Sequence, residues 1–370
     1  MLSLTGTPLF VLAVAAAIVP VLVIAWLARK GGAQATSRRR ITRVVTVTAL
    51  VLLAQGAAMA ALALKVNDKY TFYTSWADLT GQIAQGATIQ TGGILPTGEG
   101  TIRVMSAPAR NAGTNHEVLV WLPPQYDDPA YKSYRFPVVM FLTGQPSTPT
   151  AVFDEFNFAS TAAQAIASHQ AQPFIGVFPS LMVTPPRDTE CTNVPGGPMA
   201  ETWLSSDVPS FIERSFRVAA PGRAWTAMGW STGGFCASKL LMAHHDHFGS
   251  AVSFGGYYTP IQDATTGDLF AGQRKLYDEN SPQWLYTKGG LHGDRLLLVA
   301  GQQDKNSWGS TKRMLEVTAG NPNIASITFP VGGHNYRDYS SYLASALAWA
   351  AKGWPGDSDD VIAAAGAGSG

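Results

Sequence analysis

The sequence predicts an α/β fold: a mostly parallel sheet with helices on both faces, preceded by two membrane-spanning helices. Three observations predict it. Strand-like and helix-like segments alternate from residue 100 to residue 351, as a parallel sheet with crossover helices requires. Several of the strand-like segments are short and continuously apolar, as strands covered on both faces are. Two long uncharged runs stand ahead of this pattern.

Those runs are residues 8–28 and 44–64, and neither contains Asp, Glu, Lys or Arg. Each is about long enough to cross a ~30 Å hydrocarbon core as a helix. The stretch joining them carries Arg29, Lys30, Arg38, Arg39, Arg40 and Arg43. Positive loops stay cytoplasmic, which places both ends of the pair, and everything after Lys65, outside the cytoplasm. A cleaved signal peptide would need its basic residues before the apolar run, and here they come after it. The expected location is therefore the plasma membrane, with two spans and an extracytoplasmic body. Pro20, mid-span, is compatible with crossing.

Charge shows the same division. The chain has 26 basic and 25 acidic residues. Residues 1–65 hold seven of the basic ones and no acidic one, so a basic head precedes an acidic body. The near-balance excludes a nucleic-acid binder that works by bulk charge. With 46% apolar residues the chain is not disordered overall. The expected organisation is an anchor (1–65), a stalk rich in Gly, Thr and Gln (66–98), a catalytic domain (99–354) and a frayed tail (355–370).

Within the body, 100–105 and 117–122 read as an opening hairpin, and 137–142 and 174–178 as buried strands. Between those two strands, 153–169 has a helical pattern. Residues 200–216 read as a helix, with Trp203, Val208, Phe211 and Ile212 at helical spacing. The pattern continues with strand 224–228, helix 233–244, strands 249–254 and 295–300, helix 310–318, strand 324–329 and a closing helix, 336–351.

Gly229-Trp230-Ser231-Thr232-Gly233 matches G-x-S-x-G. The motif is weak alone in a chain with 37 glycines. Its context is stronger, because a strand leads straight in and a helix straight out, as a nucleophile elbow requires. The competing view is a serine in a Gly-rich turn. A serine hydroxyl needs a base, and the base an orienting carboxylate. On such a sheet both come after the serine, acid first. His334 sits in Gly332-Gly333-His334, after strand 324–329; His292 precedes a strand and lies at the wrong end. Asp304 comes just after strand 295–300 and is the expected acid. Asp263, Asp268 and Glu316 are fallbacks, Asp294 starts the strand at the opposite edge, and Asp338 is too near His334 in sequence. The tetrahedral oxyanion needs donors. Thr232 N–H is one, and Gln145, in the loop before Pro146, is the other.

The two cysteines, Cys191 and Cys236, favour one disulfide outside the cytoplasm, with two free buried thiols as the alternative. His244-His245-Asp246-His247 ends a helix without a full ligand set, so no metal and no cofactor are expected. Trp230, Tyr257, Tyr258, Trp284, Tyr286 and Trp308 line a pocket or simply pack.

The body resembles the bacterial esterase family of α/β-hydrolases, which includes esterase D-like and feruloyl esterase-like enzymes and the antigen 85 mycolyltransferases. The resemblance rests on residues 117–126 (EVLVWLPPQY), Leu142-Thr143-Gly144, the elbow through Gly234, residues 248–256 (FGSAVSFGG) and Gly332-Gly333-His334. It implies an α/β-hydrolase fold with Ser231, Asp304 and His334 as the triad. Antigen 85 enzymes use a glutamate as the acid and are secreted, and family members usually carry a tryptophan where this chain has Tyr336. Those departures favour the broader esterase group. The expected function is a membrane-anchored serine esterase or acyltransferase. It acts on a lipid or glycan ester and passes the acyl group to water or to a sugar or lipid hydroxyl. A non-catalytic cell-envelope-binding module on the same fold is the alternative. Oligomeric state is left open.

Overall fold

A computed structural model describes residues 7–29, 37–70, 76, 94–97, 99–109, 115–330 and 333–356. The chain divides into two compact units, Met1–Thr88 and Ile89–Gly370.

The first unit holds two helices, α1 (Thr7–Arg29) and α2 (Ser37–Tyr70). Both are long and apolar enough to cross a membrane. Arg43 Nη2 donates to Leu27 O at 2.8 Å, and Lys65 Nζ lies 5.7 Å from the Phe10 ring centre, so the helices run antiparallel. Leu22, Ile41, Leu52, Met59 and Leu62 are exposed on these helices. α2 continues past Leu64, the expected end of the span, through the first residues assigned to the stalk.

The second unit is built on a nine-stranded sheet in the order β1-β2-β3-β5-β4-β6-β7-β8-β9. The strands are β1 (Ile94–Thr97), β2 (Gly100–Pro108), β3 (Asn115–Leu122), β4 (Val138–Leu142), β5 (Ile175–Pro179), β6 (Gly222–Trp230), β7 (Phe248–Phe254), β8 (Arg295–Gly301) and β9 (Ile324–Phe329). β1 also lies in the segment that reads as a stalk. It is an edge strand, where Pro96 costs no ladder bond. Residues 77–93 and the tail beyond 356 lie outside the described residues. The antiparallel hairpin β2–β3 and the parallel strands from β5 to β9 match the expected architecture.

Among the described residues, the α-helices of five or more residues in this unit are α3 (Pro149–Glu155), α4 (Phe158–Ala167), α5 (Val208–Ser215), α6 (Thr232–Ala243), α7 (Arg274–Glu279), α8 (Pro282–Gly289), α9 (Trp308–Val317), α10 (Tyr336–Ser340) and α11 (Leu343–Ala351). β4 shows how the layers form. Val138, Met140 and Leu142 join a core with Ile212, Phe235 and Leu240, whereas Val139 and Phe141 join one with Phe158, Leu343 and Leu347. Alternate side chains enter opposite cores, which explains the continuously apolar run.

Three expected helices are interrupted. The pattern 153–169 breaks at Asn157, which adopts a left-handed conformation (φ 46°) that asparagine tolerates better than most residues. Residues 200–216 contain a π-helical stretch, Trp203–Asp207, in which Val208 N–H reaches Trp203 O. Pro209, with no N–H to donate, comes directly after it. The closing helix splits into α10 and α11, and α10 turns Tyr339 inward. α7 and α8 add to the expected elements. Ser281-Pro282 is a start signal for α8, and Ser281 Oγ accepts from Trp284 N–H.

The cysteines are joined in a disulfide that ties the β5–α5 connection to α6. Beside it, buried Lys239 Nζ pairs with Glu201 Oε2 at 2.9 Å, and His244 Nε2 lies 2.9 Å from Glu201 Oε1. The histidine run thus caps a helix, and among the described residues no cluster could hold a metal. Burial alone would raise Glu201, but Lys239 and His244 outweigh it and hold the carboxyl at about 2, below its ordinary 4.5. A depressed folded value stabilises above the unfolded pKa, and that stability is lost as pH falls through the folded value. Wild type is expected to lose roughly 3 kcal/mol through this group between about pH 4.5 and 2. In Glu201→Gln that part of the pH dependence should be missing from denaturant unfolding curves.

Candidate active site

Parallel register brings the carboxyl ends of five strands to one edge. Leu142 stands opposite Gly229, Trp230 opposite Phe254, Phe254 opposite Val299, and Gly301 opposite Phe329. Ser231, Asp304 and His334 lie just past β6, β8 and β9 respectively, so chain segments far apart in sequence meet there.

Ser231 stands between β6 and α6 with φ 57° and ψ −118°, a conformation costly for a residue with a side chain. The surroundings enforce it. A Cβ on Gly229 would lie 2.1 Å from Gly233 O, and one on Gly233 would lie 2.2 Å from Leu142 O. Only glycines let the turn close this tightly, which accounts for both motif positions. Ser231 N–H donates to Phe254 O at 2.9 Å, anchoring the elbow to β7.

His334 Nε2 lies 2.8 Å from Ser231 Oγ, and His334 Nδ1 lies 2.7 Å from Asp304 Oδ2. The imidazole stacks on the Trp230 indole, with centroids 4.4 Å apart. Trp230, a pocket or packing residue by sequence, therefore fixes the plane of the ring. The loop carrying His334 is tied by Asp338, whose Oδ2 accepts from Gly333 N–H at 2.7 Å and Asn335 Nδ2 at 2.8 Å. Asp338 thus braces the loop, and the carboxylate on the imidazole is that of Asp304.

Asp304 is fully buried. Its Oδ2 also accepts from Tyr339 OH at 2.6 Å and Ser307 Oγ at 2.7 Å, and its Oδ1 from Asn306 N–H at 2.9 Å and Ser307 N–H at 3.2 Å. Burial would raise the carboxyl, but His334, Tyr339 and Ser307 outweigh it and hold it below its ordinary 3.8. Burial and then the Asp304 charge push Tyr339 up, so its hydroxyl stays a donor. Sequence reasoning misses Tyr339 and Ser307, because a tyrosine in a helical pattern reads as core.

Thr232 is the first residue of α6, so its N–H points outward from a helix start. A Cβ on Gly144 would lie 3.3 Å from Ser231 Cβ, which puts the Gly144–Gln145 peptide beside the serine. The Gln145 side chain donates to Pro186 O at 3.4 Å. Trp284, Tyr286 and Trp308 are partly buried and Tyr258 is buried, its hydroxyl donating to Ser253 Oγ at 3.1 Å. His292 stacks on His245 with centroids 4.4 Å apart, remote from Ser231 beyond the other end of β8.

Behind the elbow lies a polar group in which Asp188 and Glu190, unmarked in the sequence, meet Thr232 and Tyr257. Asp188 and Glu190 are 6% and 1% exposed, and both belong to the β5–α5 connection. Burial, above all, raises both, Glu190 to about 8. Tyr257 OH donates to Glu190 Oε1 at 2.6 Å, and Thr232 Oγ1 donates to Asp188 Oδ2 at 3.4 Å.

The profile of a family described as Putative esterase matches residues 110–350. The chain is 28% identical over 251 residues to an uncharacterized protein of Corynebacterium glutamicum, a match covering 64% of this chain and 57% of that one. It is 30% identical over 143 residues to the MPT51 antigen of Mycobacterium leprae, covering 37% of this chain and 46% of that one. The chain thus spans about half the length of these relatives. Among solved structures, a ferulic acid esterase superposes with a TM-score of 0.59 at 18% identity, covering 68% of this chain and 97% of that one. That likeness shows the α/β-hydrolase fold.

Proposed function

The chain belongs to the Putative esterase family, and from that premise we propose that it is a membrane-anchored, extracytoplasmic serine esterase or acyltransferase acting through Ser231. The carrying observation is the unbroken path Asp304 Oδ2–His334 Nδ1 and His334 Nε2–Ser231 Oγ, with contacts of 2.7 and 2.8 Å.

His334 takes the Ser231 proton as Oγ attacks the ester carbonyl. The negative charge moves to the carbonyl oxygen, where Thr232 N–H and the Gln145 N–H stabilise it. Collapse expels the alcohol, which leaves with the proton from His334, and an acyl-enzyme remains on Ser231. A second nucleophile then gives its proton to His334 and takes the acyl group. Water makes the protein an esterase, and a sugar or lipid hydroxyl makes it an acyltransferase. A lipid or glycan ester of the cell envelope is the substrate class that suits an anchored domain on the outer face. α1 and α2 support the anchor by length and apolar composition, and the basic residues between them support a cytoplasmic loop.

A membrane-impermeant fluorophosphonate added to intact cells tests serine and location together. Wild type should be labelled and Ser231→Ala should not. Labelling of wild type only after the cells are broken overturns the outward placement. Equal labelling of both variants overturns Ser231, and no labelling of folded wild type overturns the enzyme.

A further inference from the structure

Two carboxylates are buried directly behind the oxyanion side of the elbow, and neither belongs to the triad. Asp188 Oδ1 accepts from Glu190 N–H at 2.8 Å. Glu190 accepts from Tyr257 OH at 2.6 Å and from Ile261 N–H at 3.1 and 3.0 Å on its two oxygens. The neighbouring cation, Lys239, is already paired with Glu201. Burying such groups costs several kcal/mol each, and apolar replacements of similar shape would usually be no less stable. The backbone is also held against its preference. Glu190 and Cys191 have φ of 44° and 48°, kept there by the disulfide to α6 and by Lys239 Nζ, which donates to Cys191 O at 2.9 Å. Strain and buried carboxyl groups that persist together beside the elbow call for a functional reason.

Hydrogen-bond arithmetic on Thr232 supplies one. Tyr257 OH lies 3.4 Å from Thr232 Oγ1, but its single proton goes to Glu190, the far shorter contact. The Thr232 hydroxyl proton goes to Asp188 Oδ2. Phe235, three residues along α6, stacks on Tyr257 with centroids 4.9 Å apart and holds that ring in place. Thr232 is thereby fixed by its side chain at the one residue whose N–H must face the oxyanion. A threonine hydroxyl left free could instead turn back onto nearby backbone groups and compete for them.

We propose that Asp188 is a positioning residue for the oxyanion donor Thr232, with Glu190 holding Asp188 in register through its N–H and Tyr257 holding Glu190 in turn. The inference rests on Ser231 being the nucleophile. What Asp188 contributes is a hydrogen-bonding atom aimed at Thr232 Oγ1, and asparagine keeps one there: its oxygen takes the Glu190 N–H, and its NH₂ donates to Thr232 Oγ1, which can turn to accept. A full negative charge there would oppose the oxyanion, so the charge itself is not what the site needs.

The test is steady-state kinetics on a p-nitrophenyl ester with the full chain in detergent, alongside fluorophosphonate labelling and thermal unfolding. Asp188→Ala should lower kcat about tenfold or more, with KM within about twofold of wild type, because the loss is confined to the transition state. Asp188→Asn should recover kcat to within about threefold of wild type. Tyr257→Phe removes a hydroxyl without opening space, and it should lower kcat in the same direction even if Asp188→Ala folds poorly. A rise in KM at constant kcat would make Asp188 a substrate contact and overturn the proposal. So would equal losses in the Ala and Asn variants, or wild-type kcat in Tyr257→Phe. Wild type that neither labels nor turns over overturns the esterase reading and this inference with it. Wild type that does both, matched by every variant, overturns this inference alone.

Discussion

Asp304→Asn should cut kcat for ester hydrolysis by about 10⁴-fold while leaving KM and the fold nearly unchanged. The reason lies in how the carboxylate is used. One oxygen faces two backbone N–H groups, of Asn306 and Ser307, and these cannot turn round to accept. The asparagine oxygen must therefore take that side. Its NH₂ then faces His334 Nδ1, Tyr339 OH and the Ser307 hydroxyl. The hydroxyls can rotate and accept, but the imidazole can accept only by moving its proton to Nε2. That proton then points at Ser231 Oγ, and His334 can no longer act as the base. Kinetics at several pH values check this. A loss of less than about tenfold would show that Asp304 does not set the tautomer. In wild type the depressed carboxyl stays ionised at pH values where a free aspartate begins to take a proton. Its contribution to stability is present above the unfolded pKa and is lost only as pH falls through the lower folded value.

Removing the disulfide is expected to cost about 4 kcal/mol of folding free energy. Cys191 and Cys236 are 45 residues apart, and the loop-closure entropy of a ring that size gives this figure. Both cysteines are fully buried, so Cys191→Ala/Cys236→Ala adds a small packing loss rather than new solvation. Denaturant unfolding of the double variant, compared with wild type in the presence and absence of a dithiol, measures the effect. A difference under about 1 kcal/mol would mean that Lys239, Glu201 and Tyr257 hold the connection without the bond. The effect on kcat should exceed that of a remote stability change, because the same connection carries Asp188.

The meeting of Ser231, Asp304 and His334 is legible in the sequence because each signal is local. Glycines flank the serine where two backbones nearly touch, and the acid and the histidine each come after an apolar strand. Parallel register does the rest, since strands that end level deliver the residues beyond them to one edge. Tyr339, Asp188, Glu190 and Tyr257 are not legible, because each acquires its role only through a partner between 25 and 67 positions away. The helix breaks at Asn157 and before Pro209 are readable only in part. Asn157 tolerates the left-handed turn and Pro209 lacks an N–H, but neither forces the break by itself. β1 escapes a sequence reading because a four-residue edge strand containing a proline has almost no pattern of its own.

The shared edge has a consequence for how the protein comes into being. The hydrogen-bonded row is completed by a residue beyond β9, the last strand of the sheet, whose one neighbour among the described residues is β8. Parallel strands cannot zip from a hairpin, and each must wait for its crossover to fold. On the proposed mechanism, ester cleavage therefore waits for β9 and the loop beyond it. A chain emerging from the ribosome carries its exposed serine for about a hundred residues of further synthesis before a base can reach it. On that mechanism, catalysis reports that the last strand has joined the sheet.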